Sequence, residues 1–317
     1  MIHSLTVTNH LNEAINIVLG DSDSSGFLIT RIEGLGPSKA TINSTEMATG
    51  DGSVFNSARL EPRNIVISMT FDNRYNYDIE SIRQKSYKYF PIKKQITLKF
   101  YLDNRVCEIK GIVESNEPDI FSPMESSQIS IICPDPYFYS ADDEDNITKF
   151  GSSTDGFEFA YDTMLGYGVI YNDALTFDRL GEPTLEFGSM TTTDRNYVYY
   201  SGDSEIGINI AITALTSVGD ITISQGGKSK LMTVRADKIS KITGMPIIEK
   251  DIIEISTVRN NKFIRLLRSG KYYNILNSLD KGAYWFKLER GDNIFSYTTS
   301  EGLIQMEIRN QTIYEGV

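Results

Sequence analysis

The sequence predicts a mainly β protein with one long helix, built as two domains. Residues 65–71 and 96–102 alternate apolar with polar side chains at every second position, a pattern typical of half-buried strands. Residues 206–212 repeat the alternation in the second half of the chain. Only residues 75–90 carry apolar side chains at helical spacing.

The first domain has four stretches with strand periodicity. The two strong ones are Ile65, Ile67, Met69 and Phe71, then Ile96, Leu98, Phe100 and Leu102. The two weaker ones are Cys107, Ile109 and Val113, then Ile129, Ile131 and Cys133. Together they predict an N-terminal β-sandwich or a related, barrel-like sheet.

A single long helix is predicted over residues 75–90. Its apolar and aromatic side chains share one face: Tyr75, Ile79, Ile82, Tyr89 and Phe90. We expect Asn76 to cap the helix and Pro91 to end it. Packing of the aromatic stripe against the sheet is favoured over a groove for a partner.

A domain boundary is predicted near residue 140. Pro134 and Pro136 end the preceding strand because proline cannot donate to a sheet ladder. The acidic residues 142–145 and the following Gly-Ser-Ser are typical of a solvated connector. We therefore expect an N-terminal domain over 1–140 and a C-terminal domain over 141–317.

The second domain is predicted to be an antiparallel β-sandwich or jelly roll. Its clearest strand is one-sided, with Ile206, Ile208, Ile210 and Ile212 all in phase. Further strands are predicted at 220–224, 231–234, 252–258, 284–288, 294–299 and 303–308, with a turn at 291–293. Many short strands without helical periodicity favour such a fold.

Composition argues against several functional classes. The 317 residues carry a formal net charge of −11 and a pI near 4.8, which is the wrong sign for a nucleic-acid surface. Cys107 and Cys133 are the only cysteines, and we expect both to be buried and reduced. The opening stretch MIHSLTVTNH lacks the features of a signal peptide, and no apolar run has the length of a membrane span.

No motif for catalysis or cofactor binding is recognised, so no catalytic, metal or cofactor residue is predicted. The two histidines, His3 and His10, both lie in the first ten residues, which argues against a histidine-based triad. Residues 21–26 resemble the opening of an EF-hand loop, but Ile32 stands where the bidentate Glu belongs. A pair of carboxylates for glycoside hydrolysis is left open by the many Asp and Glu residues.

Saccharide binding is the alternative function, because β-sandwiches can stack sugar rings on exposed aromatic residues. Tyr197, Tyr199 and Tyr200 form an aromatic cluster, whereas Trp285 lies in a strand pattern and is expected in the core. A host-surface saccharide-binding module of a virion is therefore kept as the alternative, and a cell-wall hydrolase as a less favoured one.

Residues 27–59 form a polar segment punctuated by Gly34, Gly36, Pro37, Gly50 and Gly52. Glycine and proline at this density mark turns. The apolar residues between them are too widely spaced to close a core. Ordering such a segment costs conformational entropy, so we expect it to find its partners on another element or another subunit.

The order of several stretches resembles the phage distal tail protein (Dit) family. These stretches are RIEGLGPSKATINSTEMATGDGSVFNSAR, NIVISMTF, DIESIRQKSYKYFPIKKQITLKFYLDNR and CPDPYFY in the first domain, then KLERGDNIFSYTT and the final IYEGV. They cover about 1–140 and 280–317, and no motif matches 141–280. The resemblance implies a homohexameric ring of N-terminal domains and a galectin-like or jelly-roll C-terminal domain that projects outward.

The same resemblance implies a structural function in the virion tail tip, after assembly in the bacterial host cytoplasm. The implied partners are the tail tube protein, the tail-associated hub or lysin protein, and receptor-binding or baseplate proteins. DNA would pass through the central opening, and no membrane is implied. In such a ring we predict an intersubunit hairpin within residues 27–59, with Ile42, Met47, Val54, Phe55 and Arg59 as contacts.

Overall fold

The computed structural model describes residues 1–21, 25–47, 50–72, 78–141, 146–151, 195–227 and 229–317. Several sequence predictions fall wholly or partly outside these residues, among them the start of the helix at Tyr75 with its cap at Asn76, the acidic connector at 142–145, and the middle of the EF-hand-like stretch at 22–24.

Strands dominate the described part of the first 151 residues. They begin with β1 (Ile2–Thr8), β2 (Ala14–Val18), β3 (Phe27–Glu33), β4 (Ala40–Glu46), β5 (Ser53–Leu60) and β6 (Arg63–Phe71). After α1 (Ile79–Tyr89) come β7 (Gln95–Leu102), β8 (Val106–Asp119), β9 (Ser126–Cys133), β10 (Phe138–Ser140) and β11 (Asn146–Gly151).

The remaining strands up to the second helix are β12 (Arg195–Tyr200), β13 (Ile206–Gly207), β14 (Asn209–Ala214), β15 (Ile221–Gln225) and β16 (Lys230–Val234). After α2 (Ala236–Thr243) come β17 (Ile252–Ser256), β18 (Phe263–Arg268) and β19 (Lys271–Asn274). A 3₁₀ turn (Leu276–Ser278) precedes β20 (Lys287–Leu288), β21 (Gly291–Thr299), β22 (Ile304–Asn310) and β23 (Ile313–Tyr314).

The described residues form two compact units. The first contains those of 1–145 together with 200–206 and 311–317, and the second contains those of 146–199 and 207–310. The predicted domains 1–140 and 141–317 stay a prediction. The units differ from them in placing 200–206 and 311–317 with the N-terminal residues.

The first unit is built on a nine-stranded antiparallel sheet. Its main path runs β2-β1-β7-β8-β9-β6-β3, with β10 and β23 attached beside β8. The outermost strands β2 and β3 contact each other, so the sheet curls into a barrel-like shape. Every second side chain points into the core, as in β6, where Ile65 and Ile67 are fully buried.

The helix α1 packs into this core through Ile82, as its apolar stripe predicts. It starts at Ile79, and its N-cap position is Asp78, whose side chain makes no capping hydrogen bond. The prediction that Cys107 and Cys133 are buried and reduced is confirmed, since both are free thiols inside the core.

The second unit contains two larger antiparallel sheets. One runs β11-β22-β14-β17-β18-β19 and the other β12-β21-β15-β16. Each sheet buries one face, shown by the buried Ile210 and Ile212 in the first and Ile221 and Ile223 in the second. The predicted mainly β fold is thus confirmed.

Three local predictions in the second unit were wrong, and the short helix α2 was not foreseen. This helix has eight residues, and little more than two turns leaves a weak periodic signal. Residues 291–293 begin β21 instead of forming a turn, and of the predicted strand at 284–288 only Lys287–Leu288 is a strand. Trp285 is half-buried beneath Lys262, whose Nζ lies 5.2 Å from the ring centroid.

Candidate functional site

The strands β4 and β5 form a hairpin that makes a sheet of its own. They pair antiparallel from Ala40↔Leu60 to Glu46↔Ser53, with a bulge after Asn43. In the described part of the chain neither strand pairs with the nine-stranded sheet. Residues 27–33, which were expected to belong to the same loop-rich segment, instead form β3 and pair with β6, and Phe27 is fully buried.

The two faces of the hairpin differ in chemistry. One face is held together by polar side chains, with Asn43 Nδ2 donating to Ser57 Oγ at 3.1 Å and Thr41 Oγ1 donating to Glu61 at 2.6 Å. The strand register places Ile42 opposite Ala58 on the other face. This face is apolar and open to solvent, because Ile42 is 65 % exposed.

Phe55 extends the apolar face toward the tip of the hairpin. It lies opposite Ser44, two residues along β4 from Ile42, and is 63 % exposed. A two-stranded hairpin with one bare apolar face is marginal in water unless something covers that face. The arrangement therefore fits a surface that becomes buried on assembly.

The five predicted contact residues do not all lie on this face. Ile42 and Phe55 share it, whereas the register places Val54 and Arg59 on the polar face, opposite Thr45 and Thr41. Met47 follows the end of β4 and is 51 % exposed. Ala58 joins Ile42 and Phe55 on the apolar face, although its small side chain gave no reason to single it out.

The root of the hairpin is fastened by Arg63, the first residue of β6. Its side chain is 3 % exposed. Nε donates to the carbonyl of Pro136 at 2.8 Å, and Nη1 donates to those of Gly34, at 2.5 Å, and Gly36. Nη2 donates to the carbonyl of Glu315 at 2.6 Å. One guanidinium thus ties the entry of the hairpin to the C-terminal strand region.

The main chain around Gly34 could not accept another residue. Its φ is +82°, and a Cβ built there would lie 2.0 Å from the carbonyl oxygen of Asn64. The next carbonyl, that of Leu35, accepts a hydrogen bond from the amide of Val317 at 3.0 Å. Arg105 holds the same C-terminal stretch, with its guanidinium 4.4 Å from the ring centroid of Tyr314.

Sequence reasoning missed Arg63, although a signal was present. Arg63 is in phase with Ile65 and Ile67, so the period-two pattern places it on the buried face of β6. Its guanidinium lies 4.5 Å from the centroid of the Phe138 ring, and burial lowers its pKa. Opposite it in the sheet is Cys133, whose pKa burial raises to about 12.

The other candidate groups remain scattered. His3 Nε2 and Asp103 Oδ1 lie 2.5 Å apart, but both side chains are more than half exposed. Within the described residues no three His, Cys, Asp or Glu side chains cluster as a metal site, and no helix there has the length and apolarity to cross a membrane. Tyr197 and Tyr199 are exposed on β12, while Tyr200 is buried.

Comparison with known proteins gives a result only at the level of structure. No protein-family model matches the chain, and no curated protein matches it. The chain is similar to the Dit protein (gp 19.1) of phage SPP1, a hub adsorption protein of phages that infect Gram-positive bacteria. The TM-score is 0.62 at 10 % identity, over 97 % of this chain and 98 % of that one.

Two further similar chains belong to the baseplate of phage P2 in its activated conformation, solved with Ca and with Sr. Their TM-scores are 0.49 and 0.47, each at 11 % identity, and they cover 98 % and 96 % of this chain and 98 % and 97 % of their own. The likeness to the SPP1 protein extends over the middle region that no sequence motif had matched. The chain has the fold of a phage distal tail (Dit) protein.

Proposed function

We propose that this protein is a structural component of a phage tail tip, in which it forms a homohexameric ring. The ring joins the tail tube to the hub protein and to receptor-binding or baseplate proteins, and DNA passes through its opening. The observation that carries the proposal is an exposed apolar hairpin face on a chain with the fold of the SPP1 Dit protein. The role is mechanical, and no catalytic group takes part.

A closed ring requires each subunit to present two different surfaces, one to each neighbour. The β4–β5 hairpin supplies one of them, because the apolar face formed by Ile42, Phe55 and Ala58 has no cover among the described residues of its own chain. Burying Ile42 and Phe55 against a neighbour removes apolar surface from water, at about 25 cal/mol per Å². The hairpin is thus the intersubunit arm.

The fixed root supports this role. Arg63 donates to the carbonyls of Gly34 and Gly36, and also to that of Glu315. The amide of Val317 donates to the carbonyl of Leu35. Residues 34–36 lead into β4, so the root of the hairpin is held in place. An arm whose root is already ordered loses less conformational entropy when it docks. The net charge of −11 is compatible with DNA passage, since an acidic channel wall does not retain phosphate.

The apolar face is tested by Ile42→Asp combined with Phe55→Asp. We expect this variant to remain a folded monomer under conditions in which the unmodified chain forms rings, measured by light scattering and negative-stain imaging. The buried carboxylates would have to be desolvated at the interface, which strongly opposes docking.

The matched control is Asn43→Asp combined with Asn56→Asp, which adds the same two charges elsewhere on the hairpin. Asn43 and Asn56 donate to Ser57 and Thr45, whose hydroxyls can donate back to an aspartate, so the hairpin fold is kept. The control should still form rings. Rings from the Ile42→Asp, Phe55→Asp variant would refute the arm.

Saccharide binding is the second candidate, and its support is the pair Tyr197 and Tyr199. They are 58 % and 67 % exposed and lie two residues apart on β12, so they share a face of that strand. Binding to host cell-wall glycans that is abolished by Tyr197→Ala with Tyr199→Ala would favour this function. If the unmodified chain does not bind these glycans, or if the variant binds them equally well, saccharide binding by this tyrosine pair is refuted.

A further inference from the structure

A second hairpin of the first unit ends in a bare apolar tip. The strand β8 is the longest in the described chain, and it pairs with β9 as far as Asp119↔Ser126. Its other neighbour, β7, pairs with it no further along than Gln95↔Ile112. Residues 114–125 therefore extend past the edge of β7, and the loop 120–125 forms the tip.

The tip carries three large apolar side chains. Phe121 is 94 % exposed, Met124 63 % and Ile120 45 %. A single exposed apolar residue is ordinary, but three within five positions form a patch. Phe and Met are also among the residues enriched in the buried centre of protein interfaces.

The shape of the tip is fixed by contacts at its base. Arg83 of α1 and Glu125 form an ion pair at 2.8 Å, with both side chains about one-fifth exposed. The carbonyl of Glu125 accepts the amide of Phe71 at 2.8 Å, and Ser127 donates to Asn116 at 2.6 Å. The apolar side chains are thus held on a preformed support, which lowers the entropy cost of binding.

The hairpin residues 111–133 themselves carry only acidic charged side chains. No Lys, Arg or His occurs between Lys110 and Lys149 in the sequence. Glu114, Glu117 and Asp119 are exposed along β8, and none of the three lies in a salt bridge within the described part of the chain. The hairpin therefore presents an apolar tip on a negatively charged stem.

We propose that the β8–β9 tip binds a different protein, through an apolar cleft bordered by Lys and Arg side chains. Because the stem is negatively charged, we expect basic side chains around the partner's cleft. Complementary potentials guide the encounter of two proteins and suppress wrong partners. An anionic lipid surface has the wrong sign for this stem, and the same acidic stem of a second copy would repel it. Pro118 also opposes strand addition along the free edge of β8.

This inference deepens the proposed function and rests on it, because a tail-tip ring must contact proteins other than itself. The proposed ring and the proposed tip contact can be refuted separately. Loss of the arm contacts abolishes the ring, whereas loss of the tip contacts leaves the ring intact and removes the other protein.

The test places a photo-crosslinking amino acid, p-benzoylphenylalanine, at position 121 of the full chain. The chain is co-expressed in turn with each protein encoded by the neighbouring genes of its own genome, and crosslinked peptides are identified by mass spectrometry. We expect a crosslink from position 121 to one of these proteins, within a peptide that borders Lys or Arg. The same label at position 55 should crosslink to another copy of this chain.

Affinity for the crosslinked protein is then compared between variants. Phe121→Ser combined with Met124→Ser should weaken binding by about 30-fold or more, as expected for central interface residues. Glu117→Gln with Asp119→Asn should slow association several-fold at low salt and have little effect at high salt. Phe55→Ser is the control and should leave this affinity unchanged.

Three results would overturn the proposal. They are crosslinks from position 121 only to another copy of this chain, the absence of any crosslink to the neighbouring gene products, and an affinity that the Phe121→Ser, Met124→Ser variant retains. Folding of the variants is checked by their melting temperatures, which should match that of the unmodified chain because both side chains are solvent-exposed.

Discussion

The two hairpins of the first unit, β4–β5 and β8–β9, each expose a phenylalanine but differ in support and in charge. The β4–β5 hairpin is a separate two-stranded sheet, and Phe55 lies on a face of it with Ile42. The β8–β9 hairpin continues the nine-stranded sheet, and Phe121 lies at its very end. Exposure of an aromatic side chain thus occurs in two unlike settings within one unit.

Exposure of a phenylalanine alone does not identify its partner. Around β4–β5 the charges are mixed, with Lys39 and Arg59 alongside Glu46 and Asp51, which suits contact with an identical chain. Around β8–β9 the charges are all negative from residue 111 to 148. Local charge therefore separates a surface for self-association from one for a different protein.

Arg63→Ala should have the greatest effect, because it removes the side chain that fastens the root of the β4–β5 hairpin. It leaves the carbonyls of Gly34, Pro136 and Glu315 without their donor, and should lower the free energy of unfolding by about 3 kcal/mol or more. Chemical denaturation measures the loss. Hydrogen exchange should quicken in β4–β5 more than in β8–β9.

Arg63→Lys is the matched control for that variant. It keeps the charge but lacks the planar fork that reaches carbonyls on several sides, so an intermediate loss is expected. If Arg63→Ala quickened hydrogen exchange equally in both hairpins, Arg63 would not act on the β4–β5 root in particular, and the proposed difference between the hairpins would be wrong.

Alkaline pH should act on the sheet at the Arg63↔Cys133 pair, where β6 lies beside β9. Burial raises the pKa of Cys133 from about 9.0 to about 12, so the folded thiol keeps its proton longer than the unfolded one. The free energy of unfolding therefore falls as pH rises from 9 toward 12, on the order of 1 kcal/mol per pH unit.

Cys133→Ala provides the comparison for this effect, because other groups also titrate in that range. The difference in stability between the unmodified chain and the variant should shrink with pH above 9, measured by denaturation at a series of pH values. A difference that stays constant up to pH 11 would contradict the raised pKa.

A smaller effect is expected from Glu125→Ala, which loosens only the β8–β9 tip. Glu125 forms a partly buried ion pair with Arg83, and its removal should lower the free energy of unfolding by about 1 kcal/mol. Hydrogen exchange should quicken in residues 114–126. Glu117→Ala, at an exposed position without an ion pair, serves as the control and should change stability by less than about 0.5 kcal/mol. Equal losses would show that Glu125 does not support the tip.

The smallest effect on folding should come from Phe121→Ser. With 94 % of the residue in solvent, its loss should change the free energy of unfolding by less than about 0.5 kcal/mol. Phe55→Ser should be similar as a monomer but should weaken the ring. A loss above about 1 kcal/mol in Phe121→Ser would mean that this side chain packs within its own chain.

Much of the fold was predictable because strand periodicity is a local signal. The predicted strands near Ile65 and Ile96 are β6 and β7, and the isoleucines from Ile206 to Ile212 are all buried. The short helix α2 and the paired strands β18 and β19 were not predicted. A short element has few residues on each face, so its sequence periodicity is weak. Its secondary structure is then decided by tertiary packing.

The candidate site was predictable only in part. Glycines and sparse apolar residues located a segment in need of partners, but they did not separate β3, which joins the core, from the free hairpin that follows it. Nor could they show that Phe55, and not Val54, shares a face with Ile42, because the bulge after Asn43 shifts the register.

The β-rich class, the main helix and the reduced, buried cysteines could all be predicted from the sequence alone. These follow from spacing and composition, which act locally or over the whole chain. Only the folded structure shows that Arg63 holds the hairpin root and that residues 311–317 belong to the first unit. Contacts between residues 63 and 315 depend on how distant strands pair, and side-chain periodicity along one strand does not specify its neighbour.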